Sequence, residues 1–287
     1  EFVETNIMTV PGLTAKNLTK HLINVCEARA DALALIDIEN VYTPFTENTN
    51  SFQSNVGTVA SAISSLRTRD INSSYAATYY PWVQIVDPTT SQLLWAPPSV
   101  AALGTYASSE AASELWFAPA GFTRGGLTQG SAGISVVNVS ETVVRKDRDK
   151  LYTANINPIA SFPAEGIVIF GQKTLQVTPS ALDRINVRRL MIFVKKEISR
   201  MAATILFDQN VKTTWARFLS EVKPFLASVK TRHGLTEFKV VLDETTTTPD
   251  LVDRNILYAK IFLKPARAIE YIAVDFVITR TGAGFED

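Results

Sequence analysis

Proton and electron-pair chemistry at neutral pH draws first on histidine and cysteine, and this chain holds only His21, His233 and Cys26. A Ser-His-Asp centre needs an imidazole within hydrogen-bond reach of a serine and oriented by a carboxylate. His21 falls in a stretch with helical spacing. His233 stands in an Arg-His-Gly sequence of the kind that ends a helix, where a cation meets the negative end of the dipole. Capping and surface roles account for both, so no catalytic residue is assigned. Cys26 reads as a small buried apolar residue of the first helix, because no thiolate-stabilising neighbours accompany it. A single cysteine also excludes an internal disulfide framework and any multi-cysteine metal site.

The glycine-rich Arg124-Gly125-Gly126-Leu127-Thr128-Gln129-Gly130 invites comparison with a phosphate cradle. A P-loop requires Gly-Lys-Ser/Thr opening a helix after a strand, and neither the lysine nor the helix is here, so the stretch is read as a mobile loop. No histidine pair stands at i, i+4 and the acidic residues are scattered, so no metal and no cofactor are expected. Lys plus Arg and Asp plus Glu are both 28, which leaves no overall field to draw the chain to nucleic acid or to an anionic membrane. Charge is concentrated locally instead. Arg189, Lys196 and Arg200 share one face of a long predicted helix, where they are either simply solvated or meet an acidic partner.

These residues must be positioned by a globular framework: 46% of the 287 residues are apolar, enough for one large core or two smaller ones. Residues 13–31 suit an amphipathic helix with Leu18, Leu22, Val25 and Arg29 at helical spacing and Thr14 as N-cap. Leu33-Ala34-Leu35-Ile36-Asp37-Ile38 reads as a buried strand, 48–69 as a helix, 79–86 as a strand, and Pro97-Pro98-Ser99 as the start of an alanine-rich helix to about Ala112. This alternation predicts a layered α/β unit with a largely parallel sheet. A polar loop over 119–133 and the charge run 145–150 follow, and the boundary is placed between 153 and 154.

In 155–175 an Asn-Pro turn, Pro163 and Gly166 frame Ile167-Val168-Ile169-Phe170, a buried strand. The longest helix is predicted from about Asp183 to Phe207, burying Leu190, Val194, Ile198, Met201 and Ile205. A second helix from about Asn210 buries Trp215, Phe218, Val222 and Leu226, and Pro224 should kink or break it. The chain then turns to strands at 238–242, at 256–264 with Leu257, Ala259, Ile261 and Leu263 on one face, and at 269–280. The last is a long hydrophobic strand that needs a cover.

Three segments carry a family resemblance: NINPIASFPAEGIVIFGQKTL at 155–175, RINVRRLMIFVKKEISRMAATILFDQN at 184–210 and TTWARFLSEVKPFL at 213–226. They resemble the C-terminal domain of contractile tail sheath proteins of myophages, T4-like or giant phiKZ-like. Tyr80 to Trp82, Ala96-Pro97-Pro98-Ser99 and 116–121 are similar to the preceding sheath domain, called subtilisin-like for its α/β layout. The resemblance implies a layered α/β, non-catalytic domain over 1–153 and an α+β inner sheath domain over 154–287, together an inner fragment of a larger subunit. It implies a structural protein of the virion, assembled in the host cytoplasm. Its subunits would stack in rings or a helix around the tail tube protein, meet baseplate and tail terminator proteins, and contract to drive the tube through the host envelope.

Such subunits lend terminal arms to their neighbours' sheets by strand addition. On that expectation Ile269, Tyr271, Ile272, Val274, Phe276 and Ile278 form an inter-subunit β-arm. Strands 238–242 and 256–264 belong to the accepting sheet, and Arg189, Lys196 and Arg200 face the tube. A tailocin or type VI-like injection sheath is the alternative, and an α/β hydrolase-like enzyme the competing class.

Overall fold

The structure, a computed structural model, describes residues 4–38, 58–128 and 134–270. Its first sheet has the order β1-β2-β3-β7-β8, with β1 at Ile7–Thr9, β2 at Leu33–Ile36, β3 at Ala76–Tyr80, β7 at Asn157–Phe162 and β8 at Gly166–Ile169. The first four strands are parallel, and β8 returns antiparallel to β7. Strands buried on both faces lose the polar alternation of a half-exposed strand, and Leu33-Ala34-Leu35-Ile36 shows the result. Leu33 and Leu35 enter one core, Ala34 and Ile36 the other.

Helices α1 (Lys16–Arg29) and α2 (Val59–Arg67) cover one face through Ile23, Cys26, Val59, Ala62 and Leu66. The other face meets α3 (Pro98–Ala112) and a three-stranded antiparallel sheet of β5 (Leu93–Ala96), β4 (Val83–Val86) and β6 (Val136–Val139). The strand expected over 79–86 is therefore two strands in two sheets, interrupted at Pro81.

Local chemistry corrects several expected boundaries. The core side of α1 is Thr19, Ile23 and Cys26, one position along from the stripe predicted through Leu18, and Thr14 is not the N-cap, which is Ala15. Thr19 is a polar residue that burial tolerates because it is satisfied: its hydroxyl donates to the Ala15 and Lys16 carbonyls and accepts from Arg69 Nη1 at 2.8 Å. Helix α2 begins at a Thr58/Ser61 capping box, the Thr58 Oγ1 accepting from the Ser61 N–H at 3.2 Å and the Ser61 Oγ from the Thr58 N–H at 2.8 Å. The earlier part of that predicted helix lies outside the described residues. The charge run at 145–150 opens helix α4 (Arg145–Thr153).

The expected boundary at 153/154 is crossed by the first sheet. The Asn-Pro read as a turn is the start of β7, where Pro158 pairs with Tyr80. Asn157 is fully buried: its Nδ2 donates to the Thr78 and Lys173 carbonyls at 3.1 and 2.8 Å, and its Oδ1 accepts the Lys173 N–H at 2.6 Å. The last strand of that sheet, β8, ends at Ile169.

Beyond it, α5 (Ile185–Ala203) and α6 (Lys212–Thr231) pack with the antiparallel pair β9 (Leu235–Val241) and β10 (Lys260–Pro265) around a third core. A short α7 (Pro249–Asp253) lies between those strands. Of the stripe expected on α5, Leu190 and Val194 are buried and Ile198 and Met201 half-buried, while Ile205 lies past the helix end at Ala203; α6 buries Trp215, Phe218, Val222 and Leu226 as expected, is the longer helix by one residue and passes through Pro224 unbroken.

One buried acid is essential to this framework. Asp37 follows β2, and its Oδ2 accepts the Gly12 N–H and the Ser99 hydroxyl, each at 2.8 Å, while Oδ1 accepts the Ser99 N–H at 3.3 Å. It thereby satisfies a first-turn N–H of α3, left orphaned by helix geometry. Burial raises the Asp37 pKa above the usual carboxylate range, against the lowering effect of these donors. Asp37→Ala leaves buried donors unpaired and is expected to destabilise the chain by about 2–3 kcal/mol, read as a lower thermal unfolding midpoint.

Candidate functional site

Helix α5 is the element on which the charged residues singled out by sequence converge. Its apolar residues divide between two cores: Ile185 and Ile192 join the sheet core, Leu190 and Val194 the C-terminal core. Its cations bind other parts of the chain. At its start, Arg184 makes a bidentate pair with Glu270, Nε to Oε1 at 2.6 Å and Nη2 to Oε2 at 2.9 Å, and Gln172 Nε2 donates to the same carboxylate at 3.3 Å. Near its end, Lys196 Nζ donates to the Thr5 carbonyl at 2.5 Å and to Asn6 Oδ1 at 2.7 Å, and Arg200 Nη2 meets Glu4 Oε1 at 2.9 Å. Residues 4–6 and 270, at the two ends of the described chain, are thus tied to one helix.

Between these clamps two guanidinium groups are buried. Arg188 lies 3.9 Å from the centroid of the Tyr75 ring and bonds the Ser74 hydroxyl. Arg189, 4% exposed, pairs with Glu110 at 2.7 Å and sits 5.0 Å from the centroid of the Tyr106 ring. Arg189, Lys196 and Arg200 do line one groove, but Glu4, Glu110 and Glu197 line it too. On the expected basic face Arg189 and Arg200 are paired with acids, and Lys196 is bonded to the Thr5 carbonyl and Asn6. Arg189 is not a surface charge, since an unpaired guanidinium would be costly to bury and Glu110 neutralises it.

Other candidates fall on separate elements. His21 is exposed on α1. His233 ends α6 in the left-handed conformation, φ +63°, where its N–H bonds the Lys230 carbonyl and the Gly234 N–H bonds the Val229 carbonyl. That backbone pattern is a Schellman cap, the capping role read from Arg-His-Gly. Cys26 is fully buried, and burial, reinforced by Asp31, pushes its thiol up to about 11, which keeps it protonated and unreactive at neutral pH. The glycine-rich stretch is no loose loop over its described part: Gly125 and Leu127 exchange backbone hydrogen bonds with Ile169 and Ile167, covering the outer edge of β8. Among the described residues no group of three or more His, Cys, Asp or Glu side chains is placed to hold a metal.

The expected accepting sheet is the β9–β10 ladder, with Phe238 opposite Leu263 and Val240 opposite Ile261 against the third core. Of the expected arm, Ile269 is strongly exposed, while Tyr271, Ile272, Val274, Phe276 and Ile278 lie outside the described residues.

Comparison with known proteins interprets this arrangement. A sequence model described as phage tail sheath C-terminal domain matches residues 177–279. The tail sheath protein of Enterobacteria phage T4 is 33% identical over 277 residues, 96% of this chain. The chain is a homologue of the phage tail sheath proteins. The tail sheath protein of Vibrio phage KVP40 is 35% identical over 218 residues, 76% of this chain. The chain spans 41% of the T4 sheath protein's length and 32% of the KVP40 protein's.

Among solved structures, the sheath complex of an extracellular contractile injection system, PVC, in the contracted state matches with a TM-score of 0.76 at 22% identity, over 95% of this chain and 70% of that one. The helical sheath of the anti-feeding prophage in the contracted state matches with a TM-score of 0.71 at 22% identity, over 95% and 69%. The mixed α/β architecture is therefore the sheath fold.

The Arg184–Glu270 clamp generates a prediction. Burial alone would raise the Glu270 pKa; the Arg184 bonds, with help from Tyr152 and Gln172, outweigh it and hold the carboxyl below its ordinary value. A depressed folded pKa contributes stability that is present above the ordinary glutamate value and is lost as pH falls through the folded one. Glu270→Gln is expected to remove that acid-dependent component and to cost about 1–3 kcal/mol at neutral pH, measured as unfolding midpoints across an acid pH series.

Proposed function

We propose that this chain forms the inner part of a contractile tail sheath subunit, which polymerises around a tail tube and shortens to drive that tube through the host envelope. The single observation carrying this reading is the correspondence with the T4 tail sheath protein along 277 residues, a length that local similarity of one motif does not produce. Its work is assembly, with no reaction of its own, and its place is the virion, after assembly in the host cytoplasm. Its partners are further copies of itself, the tube protein, and the proteins that start and end the tail. The folds shared with contracted PVC and anti-feeding prophage sheaths support the same mechanical role in related injection particles.

Within that reading, residues 269–280 act as the inter-subunit arm. A two-stranded sheet is marginal alone, and among the described residues β9 and β10 have only each other as strand neighbours, so an added strand from a neighbour would complete them by backbone pairing. In the full-length protein, deletion of 271–287 spares the Glu270 clamp and is expected to leave a folded subunit that no longer sediments as polymer; tubes from the deleted protein would exclude the arm. Because Arg189 is buried, the tube-facing role falls to Lys196 and Arg200. Reversing Arg200 alone to Glu, which gives up only exposed ion pairs, is expected to release the tube from assembled sheaths while lowering the subunit's own stability by no more than about 1 kcal/mol, measured by co-sedimentation of sheath and tube protein.

A further inference from the structure

Strands that follow one another in sequence pair with each other about two-thirds of the time, and a loop of roughly two to five residues is the usual connection between them. β10 ends at Pro265, and the strand predicted next begins at 269. By that rule the alternating sequence over 269–280 would fold back on β10 of its own subunit and be consumed there. The short tether sharpens the competition. It gives the arm an effective concentration in roughly the millimolar range at its own ladder, above that of any free neighbour. Lending the strand to another subunit therefore requires something that stops it from staying at home.

The residues after β10 are led away from it. The Ala266 N–H is spent on the Gly234 carbonyl at 3.0 Å, just past the end of α6, where a side chain on Gly234 would run into Val229 and Trp116. Ala268, Ile269 and Glu270 then share the lining of one cavity with Pro158 of β7 and with Phe170 and Gly171 after β8. The chain has crossed from the third core to the first sheet. There the Glu270 carboxylate sits in a socket drawn from three separate elements. Both its oxygens take the Arg184 fork, at 2.6 and 2.9 Å, Gln172 Nε2 donates at 3.3 Å, and the Tyr152 hydroxyl of α4 donates as well. The socket is itself held in place: Arg184 Nη1 meets Asp183 at 3.2 Å, and Lys173 Nζ donates to the Tyr152 carbonyl at 2.8 Å and lies 4.3 Å from the centroid of its ring. A hairpin onto β10 needs 266–270 as its loop, and that stretch runs between Gly234 and Arg184 instead.

We propose that Glu270 and its Arg184–Tyr152–Gln172 socket form a guide that keeps the C-terminal arm from pairing with β10 of its own subunit and so commits it to a neighbour. Glu270 is a positioning residue, acting by fixing the point from which 271–280 departs. A bidentate arginine suits that task, because the planar fork fixes direction as well as distance. Natural sheets guard their edges against unwanted pairing with local devices of this kind, and the edge guarded here is the subunit's own. This inference rests on the reading of 269–280 as an inter-subunit arm and adds why the arm is lent rather than kept.

The test uses the full-length protein with Glu270→Gln, which keeps the side chain's shape and removes its charge. Pelleting measures the polymerised fraction, and amide exchange is followed in subunits held dilute and unassembled. The guide predicts a polymerised fraction lower by roughly tenfold. In the dilute variant it predicts slower exchange than wild type at 260–264 and 271–278 together, the mark of an arm folded back on its own strand. A clamp that only held the fold together would lose protection in those peptides and not gain it. Arg184→Lys keeps the charge without the fork and is expected to move both readouts in the same direction to a smaller extent. Normal polymer from Glu270→Gln, or lost polymer without added protection at 260–264, overturns the inference. Deletion of 271–287 separates the two readings: tubes from the deleted protein overturn the arm and the guide together, whereas no tubes on deletion with normal tubes from Glu270→Gln overturns the guide alone.

Discussion

Helix Ile185–Ala203 cannot shift without disturbing both halves of the described chain. Its apolar residues are shared between the sheet core and the C-terminal core, so a rotation that improved one contact would expose the other. The buried Arg188 and Arg189 make the seating more exacting. A buried guanidinium is costly unless its charge is covered, and each has one ring and one polar partner placed for it, Tyr75 with Ser74 and Tyr106 with Glu110, while Arg188 Nε and Arg189 Nη1 stay buried without a hydrogen-bond partner. Arg184, Lys196 and Arg200 then tie residues 270 and 4–6 to the same rod. The physical consequence is a stiff body whose two ends leave from fixed points on one element.

The parts of this fold legible in the sequence are those governed by nearest-neighbour hydrophobic pattern. The all-apolar Leu33–Ile36 run, the proline-started α3 and the Leu190–Val194 stripe each follow from one local period. Errors arose where a polar or breaker residue does structural work over long range. Thr19 lies outside the stripe predicted through Leu18, yet it is buried because its hydroxyl is consumed by backbone carbonyls and Arg69. Asn157-Pro158 reads as a turn in the sequence, yet that asparagine ties β7 to β3 and to the backbone at Lys173 while the proline occupies a strand position.

The candidate site was legible only in part, for the same reason. The cations of α5 could be located by spacing, but their partners lie 79 to 196 residues away in sequence, and no local pattern encodes such pairs. Glu270 falls inside the strand predicted over 269–280, whose alternation gives no sign of a partner at Arg184.

The proposed function is one of assembly. The structural likenesses at about one-fifth identity establish the sheath fold, and the homology to T4 carries the reading of what that fold does here. The buried, protonated Cys26 and the capping position of His233 fit a scaffold whose polar groups are spent on holding shape. The most direct test is electron microscopy of the full-length product expressed alone and with its tail tube protein. The account predicts helical, hollow tubes of stacked subunits, with the inner density of each subunit fitted by the fold described above. Dispersed particles that never form tubes, with or without the tube protein, would contradict it.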